Sequence, residues 1–309
     1  MIGTITLNPS IDRHLIVSDL VKDDANRALE VIEYPGGKGV NVSKVVRELG
    51  GKTKAYALLG GLSGMLLEEL VEKLDIPLAK ISIQGNTRIN TILTDRKDGT
   101  QTRISSPGPK MKKSDLEKFE KLLLSTRPKP FLWALGGSLS HGMKPATYRD
   151  LILHLQKKGV PCVLDTDNEA LKEGVKAKPF IIKPNEYEMQ RLVGRRLSSI
   201  GQYFQAGKKL AASGIRIVII SLGERGALFV TGKESFYLSI PKVKVKSKVG
   251  AGDSLIGGMA LGLSRRMSLV NAAKLGVAAS LSAVMREAPR LCLKSDIPVL
   301  LPQIRCRKL

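Results

Sequence analysis

The stretch from Phe131 to Asp165, FLWALGGSLSHGMKPATYRDLILHLQKKGVPCVLD, contains two short apolar segments separated by one amphipathic segment. FLWALGG and VPCVLD are runs of the kind found in strands that are buried on both faces. Between them, 148–158 has apolar residues at helical spacing and ends at Gly159, which is typical of a helix C-terminus. Strand, helix and strand in this order predict a parallel strand pair joined by a crossover helix.

The flanking sequence repeats this alternation in both directions. Toward the N-terminus, the apolar segments 2–7 and 54–60 are each followed by residues with helical spacing, at 42–49 and 63–74. Toward the C-terminus lie PFIIKP (179–184) and IRIVIIS (215–221), both strand-like. Ser114 and Glu117 have the spacing of a capping box and predict the start of a further helix. The pattern as a whole predicts an α/β fold, with a mostly parallel sheet covered by helices on both faces.

Three stretches depart from this rhythm. Polar and apolar residues alternate in 13–18, and 88–94 and 101–105 flank a turn at Lys97-Asp98-Gly99, which predicts short antiparallel strands of a second, small sheet. Segment 242–249 alternates lysine mostly with valine and predicts a strand with one charged face. Because the small-sheet segments interrupt the main pattern, we expect a single domain over 1–309 with a small sheet formed from segments near 12–34 and 87–106.

Composition excludes several classes of protein. With 309 residues, 43% hydrophobic and 25% charged, the chain has enough apolar sequence for a large core. The longest apolar runs are far shorter than the roughly 20 residues that span a bilayer, and the first residues lack the pattern of a signal peptide, so we expect a cytoplasmic protein. The 3 Cys and 3 His are scattered without metal-ligand spacing, which argues against a metal site built by these residues.

The segment Val249-Gly250-Ala251-Gly252-Asp253-Ser254 leads directly into residues with helical spacing. Such a turn exposes backbone N–H groups at the positive end of a helix dipole and therefore predicts an anion site. A carboxylate at the same place can accept a proton, and the two together suit phosphoryl transfer. Taken alone, the pattern is equally compatible with an aspartate that merely stabilises the helix dipole.

Further loops carry weaker signals of the same kind. Segment 35–41, PGGKGVN, is a second glycine loop that opens a helix. Asn185 and Glu188 have N-cap spacing, and a capping role is the simpler interpretation; the alternative is that Glu188 orients waters around a Mg2+ carried by a nucleotide. Segment 221–226 is either a plain turn or a loop that lines a nucleotide. No dinucleotide-binding or Walker fingerprint occurs in the sequence.

Taken in order, these motifs resemble those of the PfkB (ribokinase-like) family of carbohydrate kinases. The resemblance extends over nearly the whole chain and rests on TLNPSID (6–12), GGKGVNV (36–42), TRIN (87–90), GSL (137–139), IKPNEYE (182–188), SLGERGA (221–227) and VGAGDS (249–254). It implies a ribokinase-like three-layer α/β/α sandwich with a mostly parallel central sheet and a small β-sheet lid. It also implies an ATP-dependent sugar kinase that uses Mg2+.

The resemblance assigns a role to each matching position. Asp253 would be the catalytic base, with an anion hole formed by Gly250, Ala251 and Gly252. The residues implied to bind the sugar's hydroxyls are Asp12, Gly36, Gly37, Lys38 and Asn41. Those implied to hold the substrate's existing phosphate are Arg27, Arg88, Arg103 and Ser138, three of which carry guanidinium groups that pair well with phosphate oxygens. The residues implied to bind ATP are Lys183, Asn185, Ser221, Gly223 and Gly226, while Asn185 and Glu188 would organise the hydrated Mg2+.

TLNPSID resembles the family branch that accepts sugars already phosphorylated, and TRIN with 169–185 resembles its members that act on fructose 1-phosphate. Tagatose 6-phosphate and fructose 6-phosphate remain open as substrates. The resemblance also implies a homodimer formed through the lid. The net charge of +22, from 50 Lys and Arg against 28 Asp and Glu, allows a non-catalytic alternative, a nucleic-acid-binding or sugar-phosphate-sensing protein. The basic residues are spread along the chain and aromatics make up 4%, so we disfavour nucleic acid as a partner, and we expect no membrane partner.

Overall fold

The computed structural model describes residues 1–287 and 289–309. Within them, the strands are β1 (Ile2–Thr6), β2 (Ser10–Val17), β3 (Glu30–Gly36), β4 (Thr53–Gly60), β5 (Leu78–Ile83), β6 (Arg88–Asp95), β7 (Gln101–Ile104), β8 (Trp133–Gly136), β9 (Cys162–Asp165), β10 (Ile181–Ile182), β11 (Ile217–Ser221), β12 (Ala227–Val230), β13 (Ser235–Ser239) and β14 (Arg305–Lys308). The α-helices are α1 (Lys38–Glu48), α2 (Gly61–Glu72), α3 (Lys113–Leu124), α4 (Thr147–Lys157), α5 (Asn168–Gly174), α6 (Glu186–Val193), α7 (Ile200–Ala212), α8 (Ala251–Ser264), α9 (Leu269–Val284) and α10 (Ile297–Leu300).

The main sheet has ten strands in the described residues, in the order β14-β13-β12-β11-β10-β9-β8-β1-β4-β5. All neighbours from β5 to β11 are parallel, and β11 to β14 are antiparallel. The quoted strand-helix-strand stretch forms β8, α4 and β9 as predicted, with Trp133 opposite Cys162. Parallel neighbours bring their carboxyl ends to one edge, which is where ligands bind in such sheets.

Helices cover both faces of this sheet, so the core lies in two layers. On one face, α1, α8 and α9 pack against strand residues such as Ile219 and Phe229. On the other, residues of α3, α4, α6 and α7 pack around Trp133 and Tyr56, whose rings meet edge to face at 4.9 Å. Gly257 of α8 fits directly against Val45 of α1, which draws the N-termini of these two helices together. No helix in the part of the chain that the structure covers is long and apolar enough to cross a membrane.

The second sheet has four strands among these residues, in the order β3-β2-β6-β7. The pair β6·β7 is antiparallel, as expected. The pair β2·β3 is also antiparallel, whereas β2 runs parallel to β6, with Asp12 opposite Asn90. Because side chains alternate along a strand, Asp12 and Asn90 share one face, and Val31 and Ile104 lie on the opposite face. We call this four-stranded unit the small sheet.

Two local predictions are wrong. Helix α3 begins at Lys113, with Lys112 at the N-cap and no side-chain cap, so Ser114 and Glu117 do not form a capping box; Asp115 is the acidic residue of the first turn. Segment 242–249 is not a strand, because the neighbouring edge of β13 is taken by β14. The backbone N–H of Lys246 instead donates to the carbonyl of Val284 at the end of α9.

Candidate active site

Two glycine turns place the N-termini of α1 and α8 at the carboxyl edge of the main sheet. Gly37 is the N-cap of α1 with φ 109°, and Gly250 is the N-cap of α8 with φ 75°. Both values lie in the region that favours glycine, so the sequence folds into these turns because glycine stands there. The first N–H groups of a helix have no partner within the helix and can bind an anion. In α1 the N–H of Val40 already donates to Thr6 Oγ1 at 3.1 Å, whereas the N–H groups of Ala251 and Gly252 in α8 make no hydrogen bond among the described residues.

Asp253 lies in the first turn of α8 and is 6% exposed. Its Oδ2 accepts a hydrogen bond of 2.8 Å from Asn41 Nδ2 in α1. Burial raises the pKa of this carboxyl, opposed by the positive charge of Lys38. The two glycine loops predicted separately from the sequence therefore meet at one hydrogen bond, and the carboxylate between them is poised to accept a proton.

A second buried carboxylate, Asp165 at the end of β9, joins the two halves of the site. Its Oδ1 lies 2.9 Å from Lys38 Nζ and 3.4 Å from Lys183 Nζ. Burial alone would raise the pKa of Asp165, but the two ammonium groups outweigh it and hold the pKa below its usual range. Sequence reasoning missed this residue; the available signal was an acid at the carboxyl end of a buried parallel strand.

Lys183 also touches the turn before Asp253. A Cβ on residue 252 would lie 2.8 Å from Lys183 Nζ, so only glycine admits the ammonium group this close to the backbone of the turn. Lys183 is 6% exposed and its charge is matched by Asp165. An anion held by the N–H groups of 250–252 would therefore also meet a buried cation.

Asp12 occupies the small-sheet side of the site. Its Oδ1 accepts from Asn90 Nδ2 at 2.7 Å and from Ser10 Oγ at 2.8 Å. A Cβ on Gly36 would lie 2.6 Å from Asp12 Oδ2, so the glycine loop closes directly onto this carboxylate. Asn90 belongs to a motif quoted above but was not assigned a role, and it is the residue that fixes the carboxylate.

Arg88 borders a cleft of about 670 Å³ whose lining includes Ser63, Thr87 and Pro107. Its guanidinium donates to the carbonyls of Ser106 at 3.1 Å and Asn8 at 3.0 Å. Burial, together with the charge of Arg103, lowers the pKa of Arg88. Asn8, which was also assigned no role, holds Ser138 through a 3.2 Å bond to Ser138 Oγ.

The structure brings only some of the four predicted phosphate-binding residues close to one another. Arg88 and Ser138 share Asn8 as a neighbour. Arg103 is exposed on β7, near enough to influence the pKa of Arg88. Arg27 is exposed in the connection between β2 and β3, and no contact joins it to the others in the described part of the chain. Within this group, Arg88 and Ser138 are therefore the pair held by a common neighbour.

Asn185 and Glu188 form the capping box of α6. Asn185 Oδ1 accepts from the Glu188 N–H at 2.9 Å, and Glu188 Oε2 accepts from the Asn185 N–H at 2.8 Å. The capping interpretation of this pair is therefore confirmed. The second oxygen of Glu188 makes no hydrogen bond among the described residues. Asn185 also bridges to Ser221, which places α6 beside the turn at 223–226.

Gly223 and Gly226 shape that turn, with φ 60° and φ 95°. Leu222 N–H donates to the Gly226 carbonyl at 2.8 Å and closes it. Arg225 pairs with Glu186 of α6, and the Tyr237 hydroxyl donates to the Arg225 carbonyl. The turn is therefore fixed from both sides, while a Cβ on Gly223 would meet open space.

Known proteins resemble this chain in both sequence and fold. The model of the pfkB family carbohydrate kinases matches residues 2–296. The chain is 32% identical over 309 residues to the 1-phosphofructokinase of Bacillus subtilis (strain 168), covering 100% of both chains. It is 32% identical over 297 residues to the ATP-dependent 6-phosphofructokinase isozyme 2 of Escherichia coli (strain K12), covering 96% of each. The structure of phosphofructokinase-2 from Escherichia coli in complex with fructose-6-phosphate superimposes with a TM-score of 0.91 at 31% identity, covering 97% of this chain and 98% of that one. The family and fold inferred from the sequence motifs are confirmed.

Proposed function

We propose that this protein phosphorylates fructose 1-phosphate to fructose 1,6-bisphosphate. The chain belongs to the pfkB family of carbohydrate kinases and is therefore an ATP-dependent sugar kinase. The observation that carries the proposal is the buried Asp253 at the start of α8, hydrogen-bonded to Asn41 of the sugar-side loop. The relatives named 1-phosphofructokinase support this substrate. Fructose 6-phosphate is the second candidate, because an isozyme named for it is equally similar.

In the proposed mechanism Asp253 accepts the proton of the acceptor hydroxyl. The hydroxyl oxygen forms a bond to the γ-phosphorus of ATP as the bond from that phosphorus to the β-γ bridging oxygen breaks, which releases ADP. The N–H groups of 250–252 and the ammonium of Lys183 stabilise the charge on the moving phosphoryl group. Asn41 holds the carboxylate in place, since its amide donates to Oδ2. Asp165 pairs with both Lys38 and Lys183 and so holds their ammonium groups within the site.

We also propose that ATP is bound as its Mg2+ complex, with Asn185 and Glu188 holding the ion through water. The donor set fits, because one Glu188 oxygen is engaged by the helix cap and the other is available to bind water. When bound, Mg2+ neutralises charge on the β- and γ-phosphates. Ser221, Gly223 and Gly226 would line the nucleotide, with Gly223 offering open space for its approach.

On the sugar side, Asp12, Gly36, Gly37, Lys38 and Asn41 would bind the hydroxyl groups. Arg88 would hold the existing phosphate together with Arg103, Ser138 and Arg27. Because Arg103 and Arg27 lie on the small sheet and its connection, the phosphate is bound fully only when that sheet closes. The small sheet then acts as the lid of a single domain.

The lid is proposed to mediate a homodimer. Val31 and Ile104 are 56% and 62% exposed and share the face of the small sheet that points away from Asp12. Between them on this face lie the half-buried Leu15 and Leu93, so an apolar strip runs across the strands. A second copy of the same strip would cover it.

We expect the double variant Val31→Glu/Ile104→Glu to sediment as a monomer at concentrations where the unchanged protein sediments as a dimer, because buried like charges would face each other across the interface. Val299→Glu is the control, since Val299 is 64% exposed on α10. A monomeric unchanged protein, or a dimer that survives the double substitution, would contradict the proposed interface.

Substrate choice is tested by initial rates with ATP and Mg2+ on fructose 1-phosphate, fructose 6-phosphate, tagatose 6-phosphate, fructose and ribose. We expect the highest kcat/KM for fructose 1-phosphate, at least about tenfold above fructose, since the missing phosphate leaves the half-buried Arg88 without its anion. Excess chelator should abolish turnover. Preference for fructose 6-phosphate would select the second candidate, and absence of turnover with any sugar would contradict a catalytic role.

A further inference from the structure

Lys44 lies on α1, one helical turn beyond Asn41, and has no part in the mechanism above. Its Nζ lies 5.5 Å from the centre of the Tyr34 ring and 3.4 Å from the carbonyl oxygen of Pro289. Neither partner is charged, so within residues 1–287 and 289–309 no direct ion pair offsets the desolvation of this ammonium group. Because it is costly to bury a cation without a charged partner, the parts of the fold that Lys44 contacts should explain why it lies here.

The Tyr34 contact connects Lys44 to the small sheet. Tyr34 lies in β3, directly opposite Asp12 of β2. It is 6% exposed and its hydroxyl has no hydrogen-bond partner among the residues described. A cation over an aromatic face is held electrostatically and more strongly when water is excluded. Lys44 therefore fixes the strand that leads from the small sheet into the glycine loop at 36–37.

The Pro289 contact connects Lys44 to the back of the second glycine turn. Pro289 follows α9, and the side chain of Leu291 packs against Gly250, where a Cβ would collide with it. Segment 289–291 thus supports the turn that carries the proposed anion hole. Lys44 therefore connects β3 of the small sheet to the segment that packs behind the turn at 250–252.

The charge of Lys44 is adjustable near neutral pH. Burial lowers its pKa to about 8, and the negative charges of Asp12 from β2 and Asp253 from α8 oppose this. Tyr34 from β3 faces it as a neutral phenol, because burial raises the pKa of that hydroxyl. The segment after α9 presents the uncharged Pro289 carbonyl. Lys44 is therefore protonated at pH 7 and loses its charge as the pH rises through about 8.

We propose that Lys44 is a positioning residue whose positive charge couples sugar-phosphate binding under the small sheet to nucleotide binding at the turn of 250–252. This inference rests on the proposed function. Closure of the small sheet moves Tyr34, and the lysine transmits that position to Pro289 and so to the turn behind Leu291. When the charge is absent, each substrate still binds, but neither strengthens the binding of the other.

The test compares Lys44→Met and Lys44→Arg with a matched control, Lys54→Met. Lys54 Nζ also lies 5.5 Å from an aromatic ring, that of Tyr56, but near the start of β4, at the end of the strand away from the site. ADP binding is measured by calorimetry with and without saturating fructose 1-phosphate, or fructose 6-phosphate if that is the preferred substrate. The ratio of the two dissociation constants gives the coupling between the sites.

We expect fructose 1-phosphate to tighten ADP binding severalfold in the unchanged protein and in Lys54→Met at pH 7. Lys44→Met should reduce this factor to near unity, and Lys44→Arg should restore it. Between pH 7 and 9 the factor should fall in the unchanged protein but persist in Lys44→Arg, because arginine stays charged. Equal coupling in Lys44→Met and Lys54→Met, or the same pH dependence in Lys44→Arg, would overturn the proposal.

Amide hydrogen exchange separates this outcome from a failure of the proposed function. In Lys44→Met, exchange should accelerate in peptides that cover β3 and in peptides that cover 289–293, and in neither for Lys54→Met. This readout requires no sugar. If the unchanged protein phosphorylates no sugar, the substrate assignment fails while the exchange result still decides the structural link. Unchanged exchange in both segments would contradict it.

Discussion

Replacing Asp253 with asparagine is expected to lower kcat by about 10²–10⁴-fold, the usual contribution of a positioned general base. Asparagine keeps the shape of the side chain but cannot take the proton of the acceptor hydroxyl. The KM values for ATP and sugar phosphate should stay within a few fold, since the sugar-side residues and the turn of 250–252 are untouched. Steady-state rates at saturating concentrations of both substrates measure the effect.

The same variant has a predicted pH signature. Because burial raises the pKa of Asp253, the rate of the unchanged enzyme should fall as the pH drops through a value above the usual aspartate range near 3.9. This acid limb should be absent from the residual activity of Asp253→Asn. A carboxyl with a raised pKa destabilises the fold when ionised, so Tm at pH 7 should not decrease in the variant.

Asp115→Asn is the matched control, because Asp115 also lies in the first turn of a helix and is 8% exposed. It should retain wild-type kcat and an unchanged acid limb. Near-normal turnover in Asp253→Asn, or an equal loss in Asp115→Asn, would remove Asp253 as the base and leave the turn of 250–252 as an anion site alone.

The features that could be predicted from the sequence are those with a local cause. Apolar periodicity and glycine at 159 gave the crossover unit of β8, α4 and β9, and glycine at 37 and 250 gave the two helix-opening turns. The charged strand at 242–249 failed because a strand also needs a free neighbour, and β14 occupies the edge of β13. Periodicity indicates which face of a segment is apolar, but it does not show whether a neighbouring strand has a free edge for pairing.

The contacts inside the site were beyond such reasoning, because they join distant parts of the chain. Asn41 and Asp253 are 212 positions apart, and Lys38 and Asp165 are 127 positions apart. Family resemblance placed three of these residues in the site without showing which of them touch. Asp165 carried no motif, and only the sheet order, with β9 beside β10, brings it next to the lysine that follows β10.

Asp165→Asn is expected to lower both stability and activity, since two lysines lose their shared negative partner. Removing one member of a buried ion pair usually destabilises by about 3–5 kcal/mol. We expect the lower end of that range, because the Lys38 side chain keeps 33% exposure and water can solvate its charge. Thermal unfolding at pH 7 should show a clear decrease in Tm. Lys38 and Lys183 would also shift from their positions beside the reaction path, so kcat should fall at least about tenfold by the loss of charge positioning.

The pH dependence of this destabilisation follows from the sign of the Asp165 shift. Its pKa is lowered in the folded protein, so its stabilising effect is fully present above the pKa of the unfolded chain, near 3.9, and is lost as the pH falls through the lower folded value. The Tm difference between Asp165→Asn and the unchanged protein should therefore be largest at neutral pH and shrink toward pH 3. Asp115→Asn, which removes a buried carboxylate away from both lysines, should leave kcat unchanged. Equal Tm and equal kcat for Asp165→Asn and the unchanged protein would show that Lys38 and Lys183 are held by other contacts and that Asp165 does not organise the site.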